Sequence, residues 1–260
     1  MLLKFLIKFK NLKYLTFERI THIKLNFKSF YMIVDDSKNI PRTTATKRFL
    51  EQQLEQYQEE ERNIYMTSSF QTQSVPLLHI ISSHFPWIQI IFIDTGYLFP
   101  ETYAFKVKLT ERFELNVMTV RSDKAYTQQR SPSGLFLYTE DTNHCCHINK
   151  VEPMEKLVNP GDVWISGVRK DQTRNRETMK EVEKDNRGVI RVHPMLEWTS
   201  FDVYNYIKEL QLPKHPLEDE GFASIGCVPC THEVDGENGR DGRWMGSSKT
   251  ECGLHKKNNL

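Results

Sequence analysis

Five cysteines carry most of the chemistry visible in this 260-residue chain. Four form two tight pairs, Cys145-Cys146 and Cys227-Val228-Pro229-Cys230. Two close pairs separated by a long stretch are the spacing of a four-thiolate metal centre. Thiolates select zinc or iron–sulfur clusters. A relaxed zinc site usually takes C-x2-C on both sides, and adjacent ligands suit it poorly. The Cys-Cys dipeptide therefore points to a [4Fe–4S] cluster on Cys145, Cys146, Cys227 and Cys230. Four buried cysteines acting as small apolar side chains are the plain alternative, and the spacing argues against it. The fifth, Cys252, has no partner in Glu251-Cys252-Gly253-Leu254-His255. Gly253 loosens the backbone, and Lys249 and His255 are near enough in sequence to lower the thiol pKa. Alone, Cys252 would read as an exposed bystander. Beside a four-cysteine centre it reads as a nucleophile.

A nucleophile needs a pocket, and four further stretches are suited to lining one. Ser68 to Ser74 (Ser-Ser-Phe-Gln-Thr-Gln-Ser) joins an expected strand to an expected helix. Hydroxyls and N–H groups at a helix start suit phosphate or sulfate, but the loop has no Gly and matches neither phosphate-binding fingerprint. Ile93-Asp94-Thr95-Gly96 closes the next strand and falls on the same rim. Ser166-Gly167-Val168-Arg169 follows a third strand and runs on to Gln172-Thr173 and Arg176. A Gly there lets a flat ring approach the backbone, and the two Arg suit phosphate. Arg240-Asp241-Gly242-Arg243-Trp244 has the makings of an anion clamp. Each stretch alone reads as a polar turn. Loops of this kind at three strand ends, where open α/β sheets bind ligands, read as a nucleotide pocket.

The elements that would position these loops follow from periodicity. Thr44 to Arg62 has Phe49, Leu50, Leu54 and Tyr57 at helical spacing. Strands are expected at Asn63 to Thr67, Ile88 to Asp94, Asn116 to Val120, Asp162 to Gly167 and Gly188 to Val192. Helices are expected at Val75 to His84, Pro100 to Phe113, Val151 to Val158 and Thr199 to Leu210, the last with Thr199 or Ser200 as cap. Alternating strands and helices give an α/β fold with a mostly parallel sheet. After Pro213 regular structure thins. The expected organisation is a basic extension over 1–31, a nucleotide-binding domain over 32–212, and an arm over 213–260 with cluster ligands and the Cys252 tail.

Net charge is +1, unevenly spread. Residues 1–32 carry +6, which leaves the remainder at −5 and gives no basic footprint for nucleic acid. No apolar run reaches membrane-spanning length. Clustered cysteines without a signal-peptide pattern suit a reducing, cytoplasmic compartment. The extension reads either as a basic amphipathic surface segment or as residues ahead of a true start at Met32, and no motif falls in it.

These motifs together resemble the assimilatory adenylyl-sulfate/phosphoadenylyl-sulfate reductases, of the adenine nucleotide α-hydrolase-like fold. The resemblance spans roughly Thr44 to His255. It rests on Cys145-Cys146, Cys227-x-x-Cys230, Ile93-Asp94-Thr95-Gly96, Gly167-x-Arg169 with Gln172-Thr173 and Arg176, Arg240-x-x-Arg243-Trp244, and Glu251-Cys252-Gly253-Leu254-His255. It implies thioredoxin-dependent reduction of adenosine 5′-phosphosulfate to sulfite and AMP, by way of an S-sulfocysteine on Cys252. The quartet marks the branch that carries a [4Fe–4S] cluster and generally prefers the substrate without a 3′-phosphate. By the same resemblance Ser68, Phe70 and Gln73 fall in the phosphosulfate loop, and Ile93 and Thr95 contact adenosine. Gly167 and Arg176 contact the nucleotide, and Arg240, Arg243 and His255 surround the phosphosulfate. Lys150 stands between cluster and substrate. Thioredoxin or a similar dithiol is the implied partner, and a homo-oligomer is compatible with the family. The alternatives are a preference for the 3′-phosphorylated nucleotide, an adenylating enzyme of the same fold, and an iron–sulfur sensor.

Overall fold

The apolar run of the second expected strand alternates between two cores. Ile90 and Phe92 point to one side of the sheet and Ile91 to the other, and all three are buried. A strand buried on both faces belongs inside a parallel sheet covered by helices twice over. The computed structural model describes residues 41–233, 240–246 and 249–255. All belong to one unit, Ile40–Leu260. The basic extension expected at 1–31 lies outside the described residues.

The six strands are β1 (Ile64–Ser68), β2 (Gln89–Asp94), β3 (Val117–Arg121), β4 (Val163–Ser166), β5 (Val182–Lys184) and β6 (Ile190–Val192). They lie in the order β3-β2-β1-β4-β6-β5. Every pairing is parallel except β5 on β6. The expected mostly parallel sheet is therefore present. The antiparallel edge strand β5 escaped the sequence reading, because three residues at an edge carry no readable period.

One face is covered by α1 (Pro41–Glu59), α2 (Val75–His84) and α3 (Pro100–Arg112). Leu50, Leu54, Leu77, Ile80, Phe105 and Leu109 of these helices share one core cluster with Ile90, Phe92 and Ile165. Between β3 and β4 the chain forms α4 (Leu137–Glu140), α5 (Thr142–Cys146), a π turn (His147–Val151) and α6 (Glu152–Leu157). Only α6 was expected. Val151 and Met154 bury the opposite face against Ile91 and Trp164, and Leu254 of the C-terminal tail completes that core. A short α7 (Arg174–Glu177) follows β4. Then α8 (Ser200–Glu209) starts at a Thr199 cap. The Thr199 hydroxyl accepts from Asp202 N–H and the Asp202 carboxylate accepts from Thr199 N–H, closing a capping box.

The strand order reverses between β1 and β4, which part to opposite neighbours. In a doubly wound sheet this is where the loops leave a crevice at the carboxyl ends. Among the described residues no helix is long and apolar enough to cross a membrane.

Candidate active site

The crevice is a cleft of about 560 Å³. That lies within the range of small-ligand sites. The loops after β1, β2 and β4 form its floor, and the arm beyond Pro213 closes its sides. Of the residues singled out in the sequence, Ser68, Gln73, Ile93, Thr95, Lys150, Gly167, Arg176, Arg240, Arg243, Cys252 and His255 all line it. Phe70 does not. Its ring is fully buried and meets Phe92 edge-on at 5.5 Å between centroids. The loop has no Gly, and its left-handed backbone turn falls on Phe70, with φ at +52°. A non-Gly residue held there is strained, so Phe70 shapes the loop while its ring anchors it to the core.

The tail enters the cleft held by a carboxylate. Glu251 is 2 % exposed and accepts from Arg176 Nε at 2.7 Å and Arg176 Nη2 at 2.8 Å. It also accepts from the Thr173 hydroxyl at 2.9 Å and from the Cys252 N–H at 2.9 Å. Burial alone would raise its pKa. The Arg176 hydrogen bonds and charge, with Arg240 beyond, outweigh that and bring it down to about 2. Sequence reading quoted Glu251 within its motif but gave it no task. Its partners are 75 residues away in the chain and nothing local signals them.

The charges around Cys252 differ from those its neighbours in sequence suggest. Lys249 Nζ turns to the Thr142 carbonyl at 3.3 Å and to Asn143 Oδ1 at 3.0 Å. His255 is held well below its ordinary pKa, first by burial and then by Arg176 beside it. It is therefore neutral at neutral pH and supplies no positive charge to the thiol. Lys150 and Arg240 are the cations whose charge bears on Cys252. Desolvation opposes the charge of Lys150, but Cys227, Cys252 and Cys146 around it, as thiolates, hold its pKa above the usual range.

A second, smaller pocket lies behind this one. Cys145, Cys146, Cys227 and Cys230 line it together with Tyr97, Tyr138, Asn149 and Trp244. Thr95, Lys150 and Arg243 line both pockets and so form the wall between them. All four thiols are buried. Burial, then Cys146 and Cys227 nearby, push the Cys145 thiol up to about 12, and burial with Cys227 and Cys146 pushes Cys230 up to about 11. Buried thiols that resist ionising one another suit a cationic metal–sulfur centre, which binds thiolates. Among the described residues no group of three or more His, Cys, Asp or Glu is set for a single metal ion. Two of the sulfurs are hydrogen-bonded to side chains around them. Asn149 Nδ2 lies 3.6 Å from Cys145 Sγ, and the Thr95 hydroxyl lies 3.3 Å from Cys227 Sγ.

Backbone contacts fix the arm that brings Cys227 and Cys230 here. Val228 N–H donates to the Tyr97 carbonyl at 2.7 Å, and Trp244 N–H to the Cys230 carbonyl at 3.2 Å. Arg243 Nε donates to the same Cys230 carbonyl at 3.2 Å, which aims its guanidinium across Gly226. A Cβ on Gly226 would fall 2.2 Å from Arg243 Nη2. The guanidinium is the end of a flexible side chain, so it would move and the backbone would stay. Gly226→Ala is expected to weaken nucleotide binding roughly tenfold, the loss of one charge-assisted contact, with little change in thermal stability. Titration calorimetry with AMP beside a melting curve checks both halves. Equal binding, or a large loss of stability, would count against this reading of Arg243.

Comparison with known proteins adds a history to the cleft. The model of the phosphoadenosine phosphosulfate reductase domain matches residues 63–233. The chain is similar to the phosphoadenosine 5′-phosphosulfate reductase of Gloeobacter violaceus, 41 % identical over 74 % of this chain and 82 % of the relative. It is similar to the adenosine 5′-phosphosulfate reductase of Bacillus cytotoxicus, 37 % identical over 85 % of this chain and 96 % of the relative. Among solved structures, the phosphoadenylyl-sulfate reductase of Candida auris in a phosphate complex superposes with a TM-score of 0.60 at 22 % identity, covering 83 % of this chain and 97 % of that one. The FMN adenylyltransferase of Candida glabrata superposes with a TM-score of 0.56 at 14 % identity, covering 80 % of this chain and 73 % of that one. At such identities the two structures speak for the fold alone.

Proposed function

Since this chain belongs to the phosphoadenosine phosphosulfate reductase family, we propose that it reduces adenosine 5′-phosphosulfate to sulfite and AMP, with Cys252 as nucleophile. The observation that carries this is the Cys252 thiol lining a nucleotide-sized cleft together with Lys150, Arg240 and Arg243. A sulfonucleotide has an electrophilic sulfur and AMP as leaving group. The Cys252 thiolate attacks that sulfur, an S–S bond forms, and the S–O bond to phosphate breaks. AMP departs with the bonding pair and the sulfonate stays on Cys252. Lys150, Arg240 and Arg243 offset charge on the sulfonyl and phosphate oxygens as it develops. One thiolate of a dithiol reductant, thioredoxin or its like, then attacks Cys252 Sγ and expels sulfite. The second thiol resolves the mixed disulfide, so the reductant supplies both electrons and Cys252 returns to the thiol.

The buried quartet favours a [4Fe–4S] cluster as the resident cofactor, with Cys145, Cys146, Cys227 and Cys230 as ligands. When bound it would tie the arm to α5 and set the field at the wall shared with the cleft. Lys150 and Thr95 on that wall act on both sides. Lys150 balances ligand charge behind it and faces the reacting sulfur in front.

Sulfite release with thioredoxin, measured on adenosine 5′-phosphosulfate and on its 3′-phosphorylated form, tests the reading. The expected result is sulfite from both or from the first alone, with the higher kcat/KM on the first. The relatives' names include both substrates, and the quartet favours the one without a 3′-phosphate. A higher kcat/KM on the 3′-phosphorylated nucleotide would reverse the preference. Pyrophosphate release without sulfite would mean an adenylating enzyme, and neither product would leave an iron–sulfur sensor.

A further inference from the structure

We propose that Glu251 is the positioning residue for the nucleophile, and that Arg176 serves as its anchor. The inference rests on the reductase reading for what Cys252 does, but its geometry stands apart from that reading. Every nitrogen of the Arg176 guanidinium is engaged. Nε and Nη2 clasp the two carboxylate oxygens of Glu251, and Nη1 donates to Gln172 Oε1. A substrate anion that took the Nε–Nη2 edge of Arg176 would have to displace a buried bidentate pair, which is costly to break, so only the outer hydrogens of Nη1 and Nη2 are left to the cleft. Arg243, by contrast, spends its Nη1 on long contacts, 3.5 Å to the Ser224 hydroxyl and 3.4 Å to the Ile225 carbonyl. Arg240 approaches Glu251 only at 3.6 Å. Lys150, Arg240 and Arg243 are thus the cations best placed to receive an anion in the cleft.

The loop after β4 therefore grips the tail on both sides of the cysteine. Ahead of it, Arg176 and Thr173 hold the Glu251 side chain. Beyond it, Asn175 Nδ2 donates to the His255 carbonyl at 2.8 Å. Glu251 Oε1 also accepts the Cys252 N–H, so the same carboxylate that docks the tail orients the backbone of the reacting residue. The Arg176 hydrogen bonds keep that carboxylate ionised across neutral pH. Holding a reacting atom in line is worth orders of magnitude in rate, and an ion pair between a strand-end loop and the tail is a means of doing so.

The test compares Glu251→Ala, Glu251→Gln and Arg176→Ala with wild type in the cluster-loaded protein, by three readouts. Deuterium uptake over the peptide containing Glu251–His255 reports docking. It is expected to speed up roughly tenfold in Glu251→Ala and Arg176→Ala. Formation of the Cys252 sulfonate in a single turnover is expected to slow about a hundredfold in both. AMP affinity is expected to stay within about threefold in Glu251→Ala, because Glu251 is not among the residues that line the cleft. The double variant should lose no more than either single one, since both break one contact. Glu251→Gln keeps an acceptor for the Cys252 N–H and should recover part of the rate. Unchanged uptake, or a loss of AMP affinity in Glu251→Ala as large as its loss of adduct, would overturn the inference. If wild type itself forms no sulfonate, the reductase reading fails, and deuterium uptake still decides whether the pair docks the tail.

Discussion

Cys252→Ser releases no sulfite, still binds AMP within about threefold of wild type, and keeps its iron: this is the expected outcome for a nucleophile that nothing else in the fold depends on. The tail docks through the Glu251 side chain and the backbone of Cys252, neither of which the substitution alters. The Cys252 side chain packs against the cluster of Cys227, Cys230 and Trp244, and a hydroxyl of nearly the same size fits there. What changes is reactivity, because a serine hydroxyl at neutral pH is a far weaker nucleophile than a cysteine sulfur. Turnover should fall by at least about a thousandfold. Wild type mixed with substrate and no reductant should gain about 80 Da, one sulfonate, on the peptide carrying Glu251-Cys252-Gly253, and the variant should gain nothing. Sulfonate on another residue, or near-normal turnover by Cys252→Ser, would remove the tail from the mechanism.

The second large effect lies behind the shared wall. Protein prepared without oxygen is expected to be brown and to hold about four iron per chain, as a cubane requires. Cys145→Ser should lose most of that iron. It should also loosen the arm, because the four ligands come from α5 and from the Cys227–Cys230 turn and would be tied by the cluster alone beyond their backbone contacts. Without a metal centre, four buried thiols gain little from their proximity. Proteolysis of the segment beyond Pro213 should become faster, while the β1–β4 core keeps its melting behaviour. Iron analysis and timed digestion measure the two effects. Stoichiometric zinc with no iron in the wild type would replace the cluster with a different centre, and retention of full iron by Cys145→Ser would take that residue out of the ligand set.

The alternation of strands and helices was legible in the chain because it is written locally. Ile90 to Phe92 is apolar on both faces, as a central parallel strand must be, and Thr199 with Asp202 encodes a helix start within four residues. The cysteine spacing and the loops after β1, β2 and β4 were legible for the same reason, since strand ends and residue types can be read along the sequence. The tertiary structure alone decided which groups meet. The charge of Lys150, not that of Lys249, bears on Cys252, because the π turn in the middle of the chain packs on the C-terminal tail. Arg176 is spent on Glu251, a pairing across 75 residues that no local pattern announces. The Phe70 ring turns into the core, since its backbone takes the left-handed turn that the glycine-free loop still requires. His255 is neutral because burial sets its charge, and burial is a property of the folded chain rather than of the residue.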